Sequence, residues 1–248
     1  PKYDPQKKLP VLYLQHGMYG SEDDWTAQGN LLYWMDSLLQ CGAVKEMVVV
    51  MPDNFLGSMP PAERQALIDA PNITPQGEPF DTEKGAAHWR KFTREQERGY
   101  EMSGYWEKNF PLFMAAVEQR YSVSNLPAQR AIAGLSMGGM ETLEVTLNNP
   151  EMFRYVWVLS SSFAPGNKEV YEYERGRLKK EAARYNRNFK ELVFTQGGPS
   201  DIAYNNCKET LKLFDEAGLK YEYHEVSGGH SWEAWRQNLY DLAQRLFR

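Results

Sequence analysis

A single serine held between two glycines is the most chemically suggestive feature of the sequence. The stretch RAIAGLSMGGMETL (Arg130–Leu143) places Ser136 between Gly134 and Gly138. A short apolar run precedes the serine and a helical pattern follows it, so we expect Ser136 on a tight strand-to-helix turn with its hydroxyl exposed. A serine hydroxyl is a weak nucleophile until a neighbouring base activates it. The pattern therefore predicts nucleophilic chemistry and requires a base elsewhere in the chain.

The base is sought among four histidines. Where the order is serine, acid, histidine, the base follows the nucleophile. His230 fits, because it lies in SGGHSWEAW, after a predicted strand and two glycines and before the last predicted helix. His224 lies within the strand-like KYEYHEV and is expected on the sheet surface. His16 precedes Ser136 and suits a structural or oxyanion-loop role, while His88 lies in an irregular segment and is expected to be solvated.

The acid should follow the strand that comes before the base. The run ELVFTQGGPSD delivers Asp201 at that point, whereas the alternative, Asp215, falls well inside a predicted helix. A carboxylate at Asp201 would hold the tautomer of His230 and stabilise its charged form. We therefore predict a catalytic triad of Ser136, Asp201 and His230.

Backbone amides are expected to hold the oxyanion of such a reaction. The N–H of Met137 follows the nucleophile at a helix N-terminus, and the N–H of Met18 lies in the loop HGMYG after the first predicted strand. Gly17 and Gly20 would let that loop approach a substrate closely. Met18 and Met137 are thus the predicted oxyanion hole.

Alternating strands and helices must position these residues. Repeated βα units predict an α/β fold with a doubly wound, mostly parallel sheet and helices on both faces. The predicted strands are Leu9–Gly17, Glu46–Asp53, Ala128–Ser136, Tyr155–Ser162, Glu191–Gly198 and Lys220–Val226. The predicted helices are Leu31–Gly42, Tyr105–Tyr121, Met137–Pro150, Asn205–Gly218 and Ser231–Phe247, with Pro111 expected to start or kink the second.

Residues 54–104 interrupt the alternation of predicted strands and helices, because they carry no strand pattern and are rich in proline and charged residues. A connection of this length inside a compact domain is typically functional or disordered. It leaves the carboxyl end of a strand, the edge at which ligands bind in open α/β sheets. We therefore expect one domain over 1–248, with 54–104 as an insertion or cap segment.

Composition excludes several other functions. A net charge of −5 argues against a nucleic-acid partner, and no stretch approaches the ~20 apolar residues of a membrane span. Potential ligands show no metal-binding spacing, so we expect no metal and no cofactor. Cys41 and Cys207 are expected as reduced thiols, with a single disulfide as the alternative. The chain begins with Pro1 and shows no signal peptide, which suggests a processed or trimmed chain.

Four stretches carry a family resemblance: YDPQKKLPVLYLQHGMYGSEDDW, GNLLYWMDSLLQCGAVKEMVVVMPD, YSVSNLPAQRAIAGLSMGGMETL and GGHSWEAWRQNL. With them the chain resembles the esterase D-like family of α/β-hydrolases, and within it the feruloyl esterases among the carbohydrate esterases. The resemblance implies an α/β-hydrolase fold with the triad and oxyanion hole predicted above. It also implies that Trp25 and Trp235 wall the acyl site, and that the enzyme is secreted or periplasmic.

The sequence departs from this family in two places. The N-terminal hairpin of the family is missing, and the connection after VVVMPD is longer by tens of residues, so the substrate stays open. We expect a serine esterase that acts on feruloylated or acetylated plant polysaccharide or oligosaccharide. The alternatives are an acetyl xylan esterase, an S-formylglutathione hydrolase, an enterochelin-type esterase, a mycolyl-type acyltransferase or a non-catalytic binding module.

Overall fold

Six parallel strands form one sheet in the computed structural model, which describes residues 4–18, 20–52, 105–164 and 166–248, with only the backbone for 105–108. The sheet order is β2-β1-β3-β4-β5-β6. The strands are β1 (Val11–Gln15), β2 (Val48–Val50), β3 (Arg130–Leu135), β4 (Tyr155–Leu159), β5 (Glu191–Gln196) and β6 (Glu222–Glu225). The predicted segment 54–104 lies outside the described residues, so its role as an insertion or cap stays a prediction.

The central strands are buried along nearly their whole length because helices cover both faces of the sheet. Every residue of β1 and β4 is buried, and so are all but the first residues of β3 and β5. Continuous apolar runs of this kind are typical of parallel strands. The edge strand β6 reads Glu-Tyr-His-Glu and is at most partly buried.

Seven α-helices connect the strands in the described ranges. They are α1 (Asp24–Ala27), α2 (Leu31–Gln40), α3 (Tyr105–Arg120), α4 (Met137–Asn148), α5 (Lys168–Asn188), α6 (Tyr204–Ala217) and α7 (Trp232–Arg245). Pro111 lies inside α3, so of the two predicted outcomes the structure excludes a helix start at Pro111, and the kink stays a prediction. The longest of these described helices, α5, falls in a segment where the sequence pattern predicted none.

Successive residues of each strand lie on opposite faces of the sheet and pack into two separate hydrophobic cores. On β1, Val11 and Tyr13 join the core beneath α3 to α6, whereas Leu12 and Leu14 join the core beneath α1, α2 and α7. The prediction of a parallel α/β sheet with helices on both faces is therefore confirmed. Because all five strand pairs are parallel, the carboxyl ends of the six strands lie at one edge of the sheet.

Three further observations concern the cysteines, membrane-spanning helices and metal-binding clusters. Cys41 and Cys207 are both free thiols. Over the described residues, no helix is long and apolar enough to span a membrane. Within the same residues, no three potential ligands cluster as a metal site would require.

Candidate active site

Ser136 forms the turn between β3 and α4. Its backbone has φ 52° and ψ −120°, a conformation that is rare and strained for a residue other than glycine. Neighbouring groups hold it there: the Ser136 N–H donates to the Leu159 carbonyl at 2.9 Å, and the Ser136 carbonyl accepts from the Gly139 N–H at 2.9 Å and from the Ser161 hydroxyl at 2.6 Å. The surrounding structure thus maintains a strained turn, which is common at functional sites.

Steric contact explains the two glycines that flank the serine. A Cβ atom on Gly134 would lie 2.2 Å from the Gly138 carbonyl oxygen, and one on Gly138 would lie 2.3 Å from the His16 carbonyl oxygen. Both separations are far inside van der Waals contact. Glycine at these positions lets α4 begin directly against the ends of β3 and β1.

His230 lies between Ser136 and Asp201 and is hydrogen-bonded to both. Its Nε2 is 2.9 Å from the Ser136 Oγ, and its Nδ1 is 2.7 Å from the Asp201 Oδ1. The imidazole is 17% exposed and the carboxylate is fully buried. The structure therefore brings together the three side chains that the sequence predicted, and we refer to them as the triad.

The β6–α7 loop that carries His230 is fastened at both ends. Gly228 and Gly229 adopt φ of 115° and 63°, which favour glycine. The Gly229 N–H donates to the Gly197 carbonyl at 3.0 Å and so joins the loop of the base to the loop of the acid. Ser231 caps α7 by accepting from the Glu233 N–H at 3.2 Å.

Asp201 lies in the β5–α6 loop, where backbone amides surround its carboxylate. Oδ2 accepts from the Gly197 N–H at 3.0 Å and Oδ1 from the Ala203 N–H at 2.9 Å. Burial raises the pKa of the Asp201 carboxyl, but the hydrogen bonds and the nearby His230 outweigh burial and lower the pKa to about 2. Asp201 is therefore ionised at neutral pH. The alternative acid, Asp215, lies on α6, where it accepts a hydrogen bond from the Tyr221 hydroxyl at 2.8 Å.

The two predicted oxyanion donors belong to segments that meet beside Ser136. Met137 is the first residue of α4, so its N–H has no partner within the helix. Gly17, which precedes Met18, is so close that a Cβ atom there would lie 3.3 Å from the Ser136 Cβ. The oxyanion role of Met18 and Met137 stays a prediction.

The predicted aromatic residues occupy a buried row. Trp25 is fully buried, and its indole N–H donates to the Gln15 carbonyl at 3.1 Å. Trp232, which the sequence analysis did not single out, makes edge-to-face contacts with Trp25 and Trp235, each at 5.2 Å between ring centroids. Trp235 in turn lies 5.2 Å from the His230 ring. Their role as walls of an acyl site stays a prediction, and the full burial of Trp25 does not favour it.

None of the remaining histidines that the structure describes takes the place of His230 between Ser136 and Asp201. His16 is buried, and its Nδ1 lies 2.6 Å from the Gly17 carbonyl oxygen. His224 lies on β6, with its Nε2 3.2 Å from a Glu222 carboxylate oxygen, so its predicted place on the sheet surface is confirmed. His88 lies outside the described residues.

Sequence reasoning missed two residues that contact the triad or its turn. Ser161 bonds to the Ser136 carbonyl, and the amide of Gln196 lies beside Asp201. Ser161 follows β4, and Gln196 is the last residue of β5. The carboxyl ends of both strands lie at the site. The shared edge of a parallel sheet is the signal that could have identified them.

Solved esterase structures share this fold. A ferulic acid esterase from Anaeromyces mucronatus, solved without substrate and with ferulic acid, aligns with a TM-score of 0.69 at 20% identity over 99% of this chain and 81% of that chain. The S-formylglutathione hydrolase of Staphylococcus aureus aligns with a TM-score of 0.61 at 17% identity over 98% of this chain and 82% of that chain.

Sequence relatives extend the comparison. An endo-1,4-beta-xylanase/feruloyl esterase of Xylanibacter ruminicola is 29% identical over 246 residues, which is 98% of this chain. The chain spans only 27% of the length of that relative. The sequence model of the Esterase family matches residues 1–246, nearly the whole chain. The chain therefore belongs to the Esterase family.

Proposed function

We propose that this chain is a serine carboxylic ester hydrolase with Ser136 as nucleophile, His230 as general base and Asp201 as the orienting acid. The observation that carries the proposal is the unbroken hydrogen-bonded path from the Ser136 Oγ through His230 to Asp201, with distances of 2.9 and 2.7 Å. Both lie within the range expected of a nucleophile and its base.

The reaction proceeds in two steps. His230 accepts the Ser136 proton on Nε2 as Oγ attacks the ester carbonyl, and Asp201 stabilises the resulting imidazolium through Nδ1–H. The amides of Met18 and Met137 stabilise the tetrahedral oxyanion, each by about 3 kcal/mol. His230 then protonates the leaving alcohol, and a water molecule attacks the acyl-enzyme by the same route to release the acid.

The substrate that we propose is a hydroxycinnamoyl ester, such as a feruloyl group on plant cell-wall polysaccharide. The Xylanibacter relative is described as both a xylanase and a feruloyl esterase, and this chain matches 27% of its length. Hydrolysis of a glycosidic bond uses two carboxylic acids that flank the bond, whereas the triad here suits acyl transfer. This chemistry supports an esterase role, and a polymeric substrate supports a location outside the cytoplasm.

A substrate panel tests this proposal. Wild type and Ser136→Ala would be assayed with methyl ferulate, acetylated xylan and S-formylglutathione. We expect wild type to have the highest kcat/KM for methyl ferulate, and Ser136→Ala to be inactive on all three. A preference for acetylated xylan or S-formylglutathione would contradict the feruloyl assignment, and equal activity of Ser136→Ala would contradict the serine mechanism.

A further inference from the structure

A second set of hydrogen bonds runs behind the triad, on the side away from His230. It begins at the Asp201 Oδ2, which also accepts from the Gly197 N–H. It passes through the Gln196 amide at the end of β5, reaches Ser161 just after β4, and ends at the Ser136 turn. Gln196 is fully buried and Ser161 is 3% exposed.

The partners of the Gln196 amide determine its orientation, because amide nitrogen and oxygen are nearly equal in shape. With the nitrogen toward Asp201, Nε2 donates to Oδ2 at 3.1 Å and the amide oxygen accepts from the Ser161 N–H at 3.1 Å. The opposite orientation would direct the amide oxygen at a buried carboxylate. The Ser161 hydroxyl then donates to the Ser136 carbonyl at 2.6 Å.

Two features place these side chains in register. In the ladder between β4 and β5, Leu159 pairs with Thr195, so Ser161 and Gln196 follow at the same sheet edge. Gly139 lets Ser161 approach the start of α4, because a Cβ atom there would lie 2.5 Å from the Ser161 Cβ. The hydrogen bonds through Gln196 and Ser161 therefore depend on how the Ser136 turn packs against the end of β4.

We propose that Gln196 and Ser161 are positioning residues that form a rear bridge, which fixes the Asp201 carboxylate relative to the Ser136 turn. The triad and the rear bridge together make a closed ring of hydrogen bonds: Ser136, His230, Asp201, Gln196, Ser161 and back to Ser136. A buried hydrogen-bonded network of this kind holds its members in one arrangement. The ring keeps the acid and the nucleophile at a constant separation while the imidazole gains and loses its proton. The catalytic consequence rests on the proposed function, whereas the structural consequence does not.

The Gln196→Met substitution tests the rear bridge, because methionine keeps a similar length and removes both amide hydrogen bonds. We expect kcat for p-nitrophenyl acetate to fall by about 10- to 100-fold, since small misplacements of catalytic groups cost factors of this size. KM should stay within about threefold, because Gln196 is fully buried. The matched control is Tyr185→Phe, which removes a buried hydrogen bond of 2.9 Å to the Leu147 carbonyl near the far end of α4. It should keep the wild-type kcat.

Proton NMR supplies a readout that does not depend on turnover. The His230 Nδ1–H bonded to Asp201 should give a far-downfield resonance in wild type and in Tyr185→Phe, and the resonance should weaken or vanish in Gln196→Met. Wild-type kcat in folded Gln196→Met, or a retained resonance, would overturn the proposal. If wild type lacked esterase activity but the resonances behaved as expected, the proposed function would fail and the rear bridge would stand.

A second variant covers the case in which Gln196→Met does not fold. Gln196→Glu keeps the shape of the side chain, but the introduced carboxyl can donate to Asp201 only while it is protonated. Its kcat relative to wild type should therefore fall as pH rises from about 5 to 8. The titratable groups around this position are Asp201, His230, the Cys207 thiol and Glu225, which pairs with Gln196 in the ladder between β5 and β6. Glu225 is ion-paired with Lys208 at 3.3 Å. Burial raises the pKa of the thiol to about 12, so it stays protonated. A ratio that does not change with pH would overturn the proposal.

Discussion

Replacing Asp201 with asparagine removes the charge of the triad while it keeps the shape of the side chain. The pKa of this carboxyl falls from 3.8 to about 2 in the folded protein, since hydrogen bonds and His230 outweigh its burial. That difference, at about 1.4 kcal/mol per pKa unit, contributes roughly 2 kcal/mol of stability at neutral pH. Because the folded-state pKa is lowered, the contribution is complete above pH 3.8 and is lost as pH falls toward 2.

Urea unfolding of wild type and Asp201→Asn between pH 2 and 7 measures this contribution. The free energy of unfolding of wild type should fall by about 2 kcal/mol more than that of Asp201→Asn as pH drops from 5 to 2. Parallel pH curves for the two proteins would mean that folding does not lower the pKa of the Asp201 carboxyl. The same substitution should lower kcat by about 10⁴-fold, since the neutral amide favours the wrong imidazole tautomer. Asp215→Asn is the control, because Asp215 lies on α6 and bonds to Tyr221 instead of His230; it should keep wild-type activity.

Four further substitutions test separate features of the structure. Burial raises the pKa of Glu141 well above 4.5, so Glu141→Gln should raise the melting temperature at pH 7 to 8, with the gain disappearing near pH 4. Gly138→Ala should abolish activity or folding because its Cβ would collide with backbone, whereas Gly176→Ala on α5, where a Cβ meets open space, should stabilise the fold by about 1 kcal/mol in thermal unfolding. Trp235→Ala should lower kcat for both methyl ferulate and p-nitrophenyl acetate, because its ring contacts His230; a larger loss on methyl ferulate would support the predicted acyl-site wall, and equal losses would contradict it.

Chain order and turn chemistry were enough to predict the triad. Ser136, Asp201 and His230 each follow a recognisable strand, and parallel strands present their carboxyl ends at one edge. The apolar runs of β1, β3, β4 and β5 were equally informative, because strands buried on both faces leave an unmistakable pattern.

The helix α5 could not be predicted, because only a narrow stripe of it is buried. The stripe includes Glu174 along with Leu178, Ala182 and Tyr185. A carboxylate can occupy such a position because Arg177 pairs with it, at 2.8 Å between the Arg177 Nε and a carboxylate oxygen. In a sequence pattern, a charged residue such as Glu174 is assigned to the solvent-exposed face. The helical spacing of the buried residues was therefore not recognised.

The rear bridge was missed for a different reason. Ser161 and Gln196 are far apart in the chain and belong to no local motif. They meet only because of the register between β4 and β5, which pairs Leu159 with Thr195. Local sequence patterns do not reveal the pairing register of strands buried on both faces.

Trapping the acyl-enzyme tests directly whether Ser136 carries the acyl group during turnover. Wild type would be acid-quenched during steady-state turnover of methyl ferulate, and the peptide that contains Ser136 would be analysed by mass spectrometry. We predict a feruloyl adduct on Ser136 in wild type and no adduct in Ser136→Ala. Turnover of methyl ferulate by Ser136→Ala at the wild-type rate, or an adduct on a different residue of wild type, would contradict the account.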